Sequence, residues 1–332
     1  MSTARLIPET WELSGDDAWE TLRCTGRRRL LRDAFQRLRW ADGFSHSRSL
    51  AFLIALATVQ GVIALVGLAT AVGDSSVSDV IVGAVQGAAP GPVAGLLTQA
   101  VAHSQATGNA GSYVPLLFGV VGGLLTAMTA MGQLERGLNR LYGVERDRPF
   151  SRKYGLGLLL AASAGVLATA AFALLAFGRT WSGTTGNATA ARILDVASWP
   201  GGLLVLGACI ALLFRWCPRR HQPAWSWLAF GSGVCLALWT VIALCLGFFF
   251  RHSAGFGETY GPLAGMIALL LWALLSSMAL FFGAAVAAQL EAVRASASSP
   301  QDERKVQASE PDATPARTPA AEPALSMTAD RS

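Results

Sequence analysis

"LAFLIALATVQGVIALVGLATAV", Leu50–Val72, contains no Asp, Glu, Lys or Arg. At 1.5 Å rise per residue, an uncharged run of ~20 residues matches the ~30 Å hydrocarbon core of a bilayer. Lipid offers no hydrogen bonds, so such a run satisfies its own backbone as a helix. The pattern recurs in Tyr113–Gly132, Tyr154–Gly178, Trp199–Phe214, Trp225–Phe250 and Tyr260–Leu290. Charged residues make up 14% of the chain and hydrophobic ones 52%, against ~25% charged in soluble domains. A soluble bundle would not leave six such runs bare of charge. The sequence therefore predicts an all-α fold, a polytopic membrane helical bundle with six transmembrane helices.

Charge sets the expected orientation, because Lys and Arg in short loops stay cytoplasmic. The stretch before the first span carries nine arginines, while the loop Gly73–Ser112 carries no Lys or Arg. Summed over alternate segments, 23 basic residues face 3. Both termini are expected in the cytoplasm; two lysines against twenty-four arginines, with abundant Ala and Gly, suggest a GC-rich bacterial genome and so a bacterial plasma (inner) membrane. The N-terminus "MSTARLIPETWELSGDDAWE" has no apolar core, so no cleavable signal is expected. Tyr113, Tyr142, Tyr154 and Tyr260 lie at or near span ends, as do Trp199, Trp216 and Trp225, where amphipathic rings meet headgroups.

Outside the spans, residues 1–26 are expected to be a flexible cytoplasmic N-terminus. The membrane domain runs over 27–294. It opens with an amphipathic interfacial helix at 27–42, "RRRLLRDAFQRLRWAD". Leu31, Ala34, Phe35 and Leu38 recur there at helical spacing with arginines opposite. The outer loop 73–112 is expected to cap the bundle, and residues 295–332 to form a disordered tail. Its partners are the lipid bilayer and anionic headgroups at the basic face, with a second copy of the chain as a candidate and no nucleic acid.

The chemistry of catalysis is missing. His46, His103, His221 and His252 fall in four separate segments, without metal-ligand spacing, and no phosphate-binding loop occurs. No catalytic, cofactor or metal residues are assigned. The spans hold no ionisable residue away from their ends, which disfavours an intramembrane proton relay. Their polar side chains suggest a candidate cavity lining of Gln60, Thr126, Thr240, Ser276 and Ser277. Interhelical glue is the blander reading of Gln60. Gly119-x-x-x-Gly123 and Gly261-x-x-x-Gly265 are spaced for close helix packing.

One charged stretch stands out, "MGQLERGLNRLYGVERDRPFSRKYG" at 131–155. Leu134, Leu138 and Leu141 continue the helical period past the span. Gly143 can end that helix, and Pro149 prevents its early resumption. Glu135, Arg136, Asn139, Arg140, Arg148 and Pro149 form a candidate inner gate or docking element. The bland alternative is a solvated turn whose arginines set topology. Glu135 is expected to pair with nearby or tail arginines, and Asn139 to bond backbone at the start of the third span.

"LERGLNRLYGVERDRPFSRKYG" and "YGPLAGMIALLLWALLSSMALFFGAAVAAQLE" resemble the stretch after the second helix and the last helix of the BrkB/YihY family of bacterial inner-membrane proteins. The resemblance covers roughly residues 27–294. It implies six transmembrane helices with both ends inside. Family members often carry an aromatic pair and a proline in the first helix; here Phe52 stands without them. Names given to members range from ribonuclease to export and resistance to killing. The nuclease reading is rejected for this sequence, which lacks the carboxylate or histidine cluster that metal-assisted hydrolysis needs. A transport or lipid-handling protein is the leading expectation, with no substrate named. A non-transporting scaffold that binds lipids or partners through its basic face is the alternative.

Overall fold

The computed structural model describes residues 3–72, 113–181, 188–252 and 262–301. The outer loop 73–112, Gly261 and the tail beyond 301 lie outside them. The described residues form eight helices and no strand: α1 (Gly15–Thr25), α2 (Arg27–Trp40), α3 (Gly43–Val72), α4 (Val114–Tyr142), α5 (Phe150–Trp181), α6 (Ala188–Trp216), α7 (Trp225–His252) and α8 (Pro262–Arg294). Six of them, α3 to α8, are long and apolar enough to cross a membrane.

Each span packs along the next in sequence, and α8 returns to pack on α3, so the six form a closed ring. Lipid tails are as apolar as leucine, so close backbone approach has to drive helix pairing inside the bilayer. Two seams show it. A Cβ on Gly119 would sit 2.3 Å from the Ala64 nitrogen, which brings α4 directly onto the α3 backbone. A Cβ on Gly283 would sit 2.6 Å from the Gly231 oxygen, where α8 crosses α7.

One end of the ring gathers the described segment ahead of α1, the end of α8 and the basic turns after α4 and α6. Helix α4 runs past its apolar run to Tyr142 and stops at Gly143, whose φ of 81° is left-handed. Leu134, Leu138 and Leu141 are buried on its inner face. At this wet end, burying one such side chain is worth ~1.5–3 kcal/mol. Toward the opposite end the same helix exposes Leu117, Phe118, Leu124 and Leu125. The other long helices repeat the gradient. Trp227, Leu228 and Cys235 of α7 are buried while Val241, Leu244 and Phe248 are exposed. On α8 the run Ala284–Leu290 is buried, while Leu263, Met266 and Leu270 are not.

The segment before the spans departs from expectation in two ways. Residues 1–26 were expected to be flexible, but Gly15–Thr25 is helical. The chain ahead of it is an extended strap hydrogen-bonded to the bundle: the Ala4 amide donates to the Arg140 carbonyl and the Ile7 amide to the Tyr142 carbonyl. Arg294 at the end of α8 pairs with Asp17 at 3.0 Å and Glu20 at 3.1 Å, fastening α1. Gly26, at φ 80°, breaks α1 from α2.

Helix α2 is amphipathic. Leu30, Ala34, Arg37 and Leu38 face the protein, while Leu31 and Phe35 stay 43% and 47% exposed. Leu31 and Phe35 are thus left for the membrane surface on which the helix was expected to lie, whereas Arg37, expected on the opposite face with the other arginines, points inward.

Candidate functional site

The charged stretch folds back on itself. Past Gly143 the Val144 amide donates to the Asn139 carbonyl at 2.8 Å, closing the end of α4. Residues 144–149 then run back beside the last turns of that helix. Pro149 supplies no amide, and its carbonyl accepts the Lys153 amide in the first turn of α5. This return lays Asp147 and Arg148 against the α4 face that carries Glu135, Arg136 and Asn139.

The buried amide of Asn139 is the centre. Its Nδ2 donates to Asp147 Oδ1 at 3.1 Å. Its Oδ1 accepts the Arg219 main-chain amide at 2.8 Å. Asn139 was expected to bond the start of α5; it reaches instead into the loop after α6. Asp147 also accepts from Lys153 Nζ at 3.0 Å and Arg136 Nε at 3.2 Å. Burial alone would raise the Asp147 carboxyl. The donors from Lys153, Asn139 and Arg136 outweigh it and hold the group below the usual carboxylate range.

Arg148 closes the other side. Its Nη1 donates to the Cys217 carbonyl at 2.6 Å, and its Nη2 to the Pro218 carbonyl at 2.8 Å. These oxygens lie at the C-terminal end of α6, where helix carbonyls lack partners and carry partial negative charge. A planar guanidinium fork can cap several at once. Glu135, also buried, accepts the Arg148 amide at 3.1 Å and pairs with its guanidinium at 3.5 Å. Glu135 therefore pairs within its own stretch and not with the tail. Arg219 answers in kind, donating to the Asp147 carbonyl at 2.7 Å. The result is a clamp between the α4–α5 turn and the α6–α7 turn. Arg140 stands apart and donates to Thr3 Oγ1 at 2.7 Å, in the strap.

Of the five residues expected to line a cavity, Gln60 and Thr126 are joined by a hydrogen bond and the other three are not. Thr126 donates to Gln60 at 2.7 Å across the α3–α4 seam. Thr240 bonds its own helix through the Leu236 carbonyl. The hydroxyls of Ser276 and Ser277 on α8 are buried without a partner. Gly265 is buried on α8, and a Cβ on Gly123 would meet only Gln60 Cβ at 3.8 Å. Asp147, Lys153, Cys217 and Arg219 were missed as clamp members. Their partners are side chains and carbonyls up to 86 residues away, which no local spacing reveals. Among the described residues, no group of three His, Cys, Asp or Glu side chains converges as a metal site would require.

Six apolar spans in a ring, clamped by a buried polar network at one end, define a polytopic helical membrane protein. The chain belongs to the family described as Virulence factor BrkB, whose model matches residues 34–308. Over 265 residues it is 25% identical to the ribonuclease-like protein YfkH of Bacillus subtilis, covering 78% of this chain and 94% of that one. Over 183 residues it is 26% identical to a UPF0761 membrane protein of Xanthomonas campestris, covering 53% of this chain and 41% of that protein. A UPF0761 membrane protein of Stenotrophomonas maltophilia is 24% identical over the same length. The chain thus spans under half the length of these last two relatives. No solved structure matches it.

Proposed function

We propose that this protein handles an amphiphilic, lipid-like molecule in the plasma membrane, with its basic end and both termini in the cytoplasm. The observation that carries the reading is the packing gradient. The ring is tight and polar-clamped at its basic end, while the opposite halves of α4, α7 and α8 expose large apolar side chains. A path for a hydrated solute needs polar groups to replace lost water. Apolar walls suit an acyl chain, and a basic end suits its anionic headgroup. The 23-to-3 division of basic residues supports the orientation.

Hydrolysis is not part of the proposal, although one relative is named ribonuclease-like. Glu135, Asp147 and Glu291 are each engaged by arginine or lysine, which leaves none of these three free as a general base. A second reading, a non-transporting scaffold, is favoured by the saturation of the clamp: Arg148 and Arg219 donate to main-chain carbonyls, as static staples do.

Reconstitution into vesicles separates the two. The lipid-handling reading expects faster exchange of a fluorescent short-chain phospholipid between leaflets than in protein-free vesicles, with no leak of a trapped hydrophilic dye. A scaffold leaves the lipid rate at the protein-free level.

A further inference from the structure

The strap ahead of α1 covers a second buried polar cluster that the clamp does not use. Arg37 of α2 is fully buried, as are Gln289 and Glu291 of α8. Arg37 Nε donates to Gln289 Oε1 at 2.8 Å, and its Nη1 to the Leu141 carbonyl at the end of α4. Arg220, from the loop after α6, pairs with Glu291, and its side chain is 2% exposed. Its guanidinium lies 4.6 Å over the Tyr142 ring. Arg220 thus holds the carboxylate, while Arg37 reaches only neutral oxygens. Each also keeps one nitrogen without a partner, Nη2 on Arg37 and Nη1 on Arg220. A buried cation left partly unpaired is costly, so the pair is set to accept one more anion.

The strap supplies neutral oxygens in its place. The Arg5 carbonyl accepts from Arg37 Nη1 and the Pro8 carbonyl from Arg220 Nη2, each at 3.2 Å. Three further contacts seat it. Thr10 Oγ1 donates to Glu291 at 2.6 Å. Ile7 packs with Tyr142, Ala288 and Ala292. The chain passes so near Gly143 that a Cβ there would lie 2.3 Å from Leu6 Cα.

We infer that Arg37 and Arg220 form a receiving site for a phosphate group, and that the strap occupies it reversibly, its Arg5 and Pro8 carbonyls standing where phosphate oxygens bind. A phosphate monoester brings the missing negative charge. Its oxygens match guanidinium forks better than amide carbonyls do. The inference rests on the reading that the basic end meets anionic amphiphiles, and it names the group recognised.

The test uses the full chain in detergent and inorganic phosphate as the probe. Ile7→Asn puts a neutral polar side chain into the apolar seat of the strap and uncovers the site. Calorimetry is expected to show phosphate binding at least tenfold tighter in Ile7→Asn than in the parent, and loss of that gain in Ile7→Asn/Arg220→Gln. Thr10→Ala, a milder release, is expected to fall between. In the parent, saturating phosphate is expected to speed hydrogen exchange of the Ala4 and Ile7 amides, which the seated strap protects. Equal affinity in parent, Thr10→Ala and Ile7→Asn, with unchanged exchange in the parent, overturns the inference. So does phosphate binding that survives Arg220→Gln. Nanodiscs with and without phosphatidic acid assign the source: faster strap exchange only with the acidic lipid points to a headgroup, and a response only to dissolved phosphate points to a soluble ligand. Phosphate binding without leaflet exchange in vesicles keeps the site and removes the lipid-moving reading.

Discussion

Asn139 and Arg219, 80 residues apart in sequence, meet at 2.8 Å, where the Asn139 side-chain oxygen accepts the Arg219 main-chain amide. The other end of the same amide group holds Asp147. One uncharged side chain therefore joins the turn after α4 to the turn after α6.

Asn139→Ala leaves a part-buried main-chain donor and a carboxylate each short of a partner. The expected loss is ~1–3 kcal/mol of stability, read as a lower midpoint of thermal unfolding in detergent. Asn139→Asp keeps the oxygen that Arg219 needs but sets a second carboxylate against Asp147, so it is expected to be no better than alanine. Parent-like midpoints for both variants would show that the amide carries no tie.

The tight point of the α3–α4 seam is Gly119 and not Gly123. An added Cβ meets the Ala64 backbone at 2.3 Å in the first case and a side chain at an ordinary 3.8 Å in the second. Gly119→Ala is expected to cost ~1–3 kcal/mol through forced separation of the helices, and Gly123→Ala close to nothing. Gly283→Ala, against the Gly231 carbonyl, is expected to behave like Gly119→Ala. Midpoints that fail to separate Gly119→Ala from Gly123→Ala would contradict this packing.

The clamp is expected to fail in acid. Asp147 is held below its ordinary value of ~3.9, so folding favours its charged form. That contribution is complete above pH ~4 and is lost as pH falls through the lower folded value. Parent midpoints are expected to hold from pH 7 to 5 and to drop below ~4. Asp147→Asn should start lower and lose much of that acid-driven drop. An unchanged drop in the variant would assign acid sensitivity elsewhere.

Orientation can be read from a native thiol. Cys24 is exposed, whereas Cys217 is buried with its Sγ on the Met131 carbonyl at 3.7 Å. Burial also pushes the Cys217 thiol up, away from its reactive form. An impermeant thiol reagent is expected to spare Cys24 in intact cells and label it in inverted vesicles. A Ser76→Cys variant, in the loop expected outside, should show the reverse. Labelling of Cys24 in intact cells would invert the topology.

Much of this architecture is legible in the sequence, for a physical reason. Lipid forces each span to be long, helical and uncharged, so Leu50–Val72 and its five counterparts announce themselves. The leucine spacing at 134, 138 and 141 likewise carries α4 to its stop at Gly143. What the sequence hides is long-range pairing. Arg37 reads as surface on α2 because its acceptors come from Arg5, Leu141 and Gln289. The strap has no periodicity to betray it. Gly231 and Gly283 meet across two helices, and no spacing within either one marks the pair. Glu135, Asn139 and Arg148 stand out by charge and clustering, but their partners in the α6–α7 turn do not.

The central proposal is that the Asn139 clamp holds closed the basic end of a ring that passes lipid-like molecules. Leaflet exchange of a fluorescent phospholipid tests it most directly, in vesicles holding equal amounts of folded parent or Asn139→Ala protein. The account predicts exchange above the protein-free rate for the parent and severalfold faster exchange in the variant, with no dye leak in either. Exchange at the protein-free rate in both would contradict it.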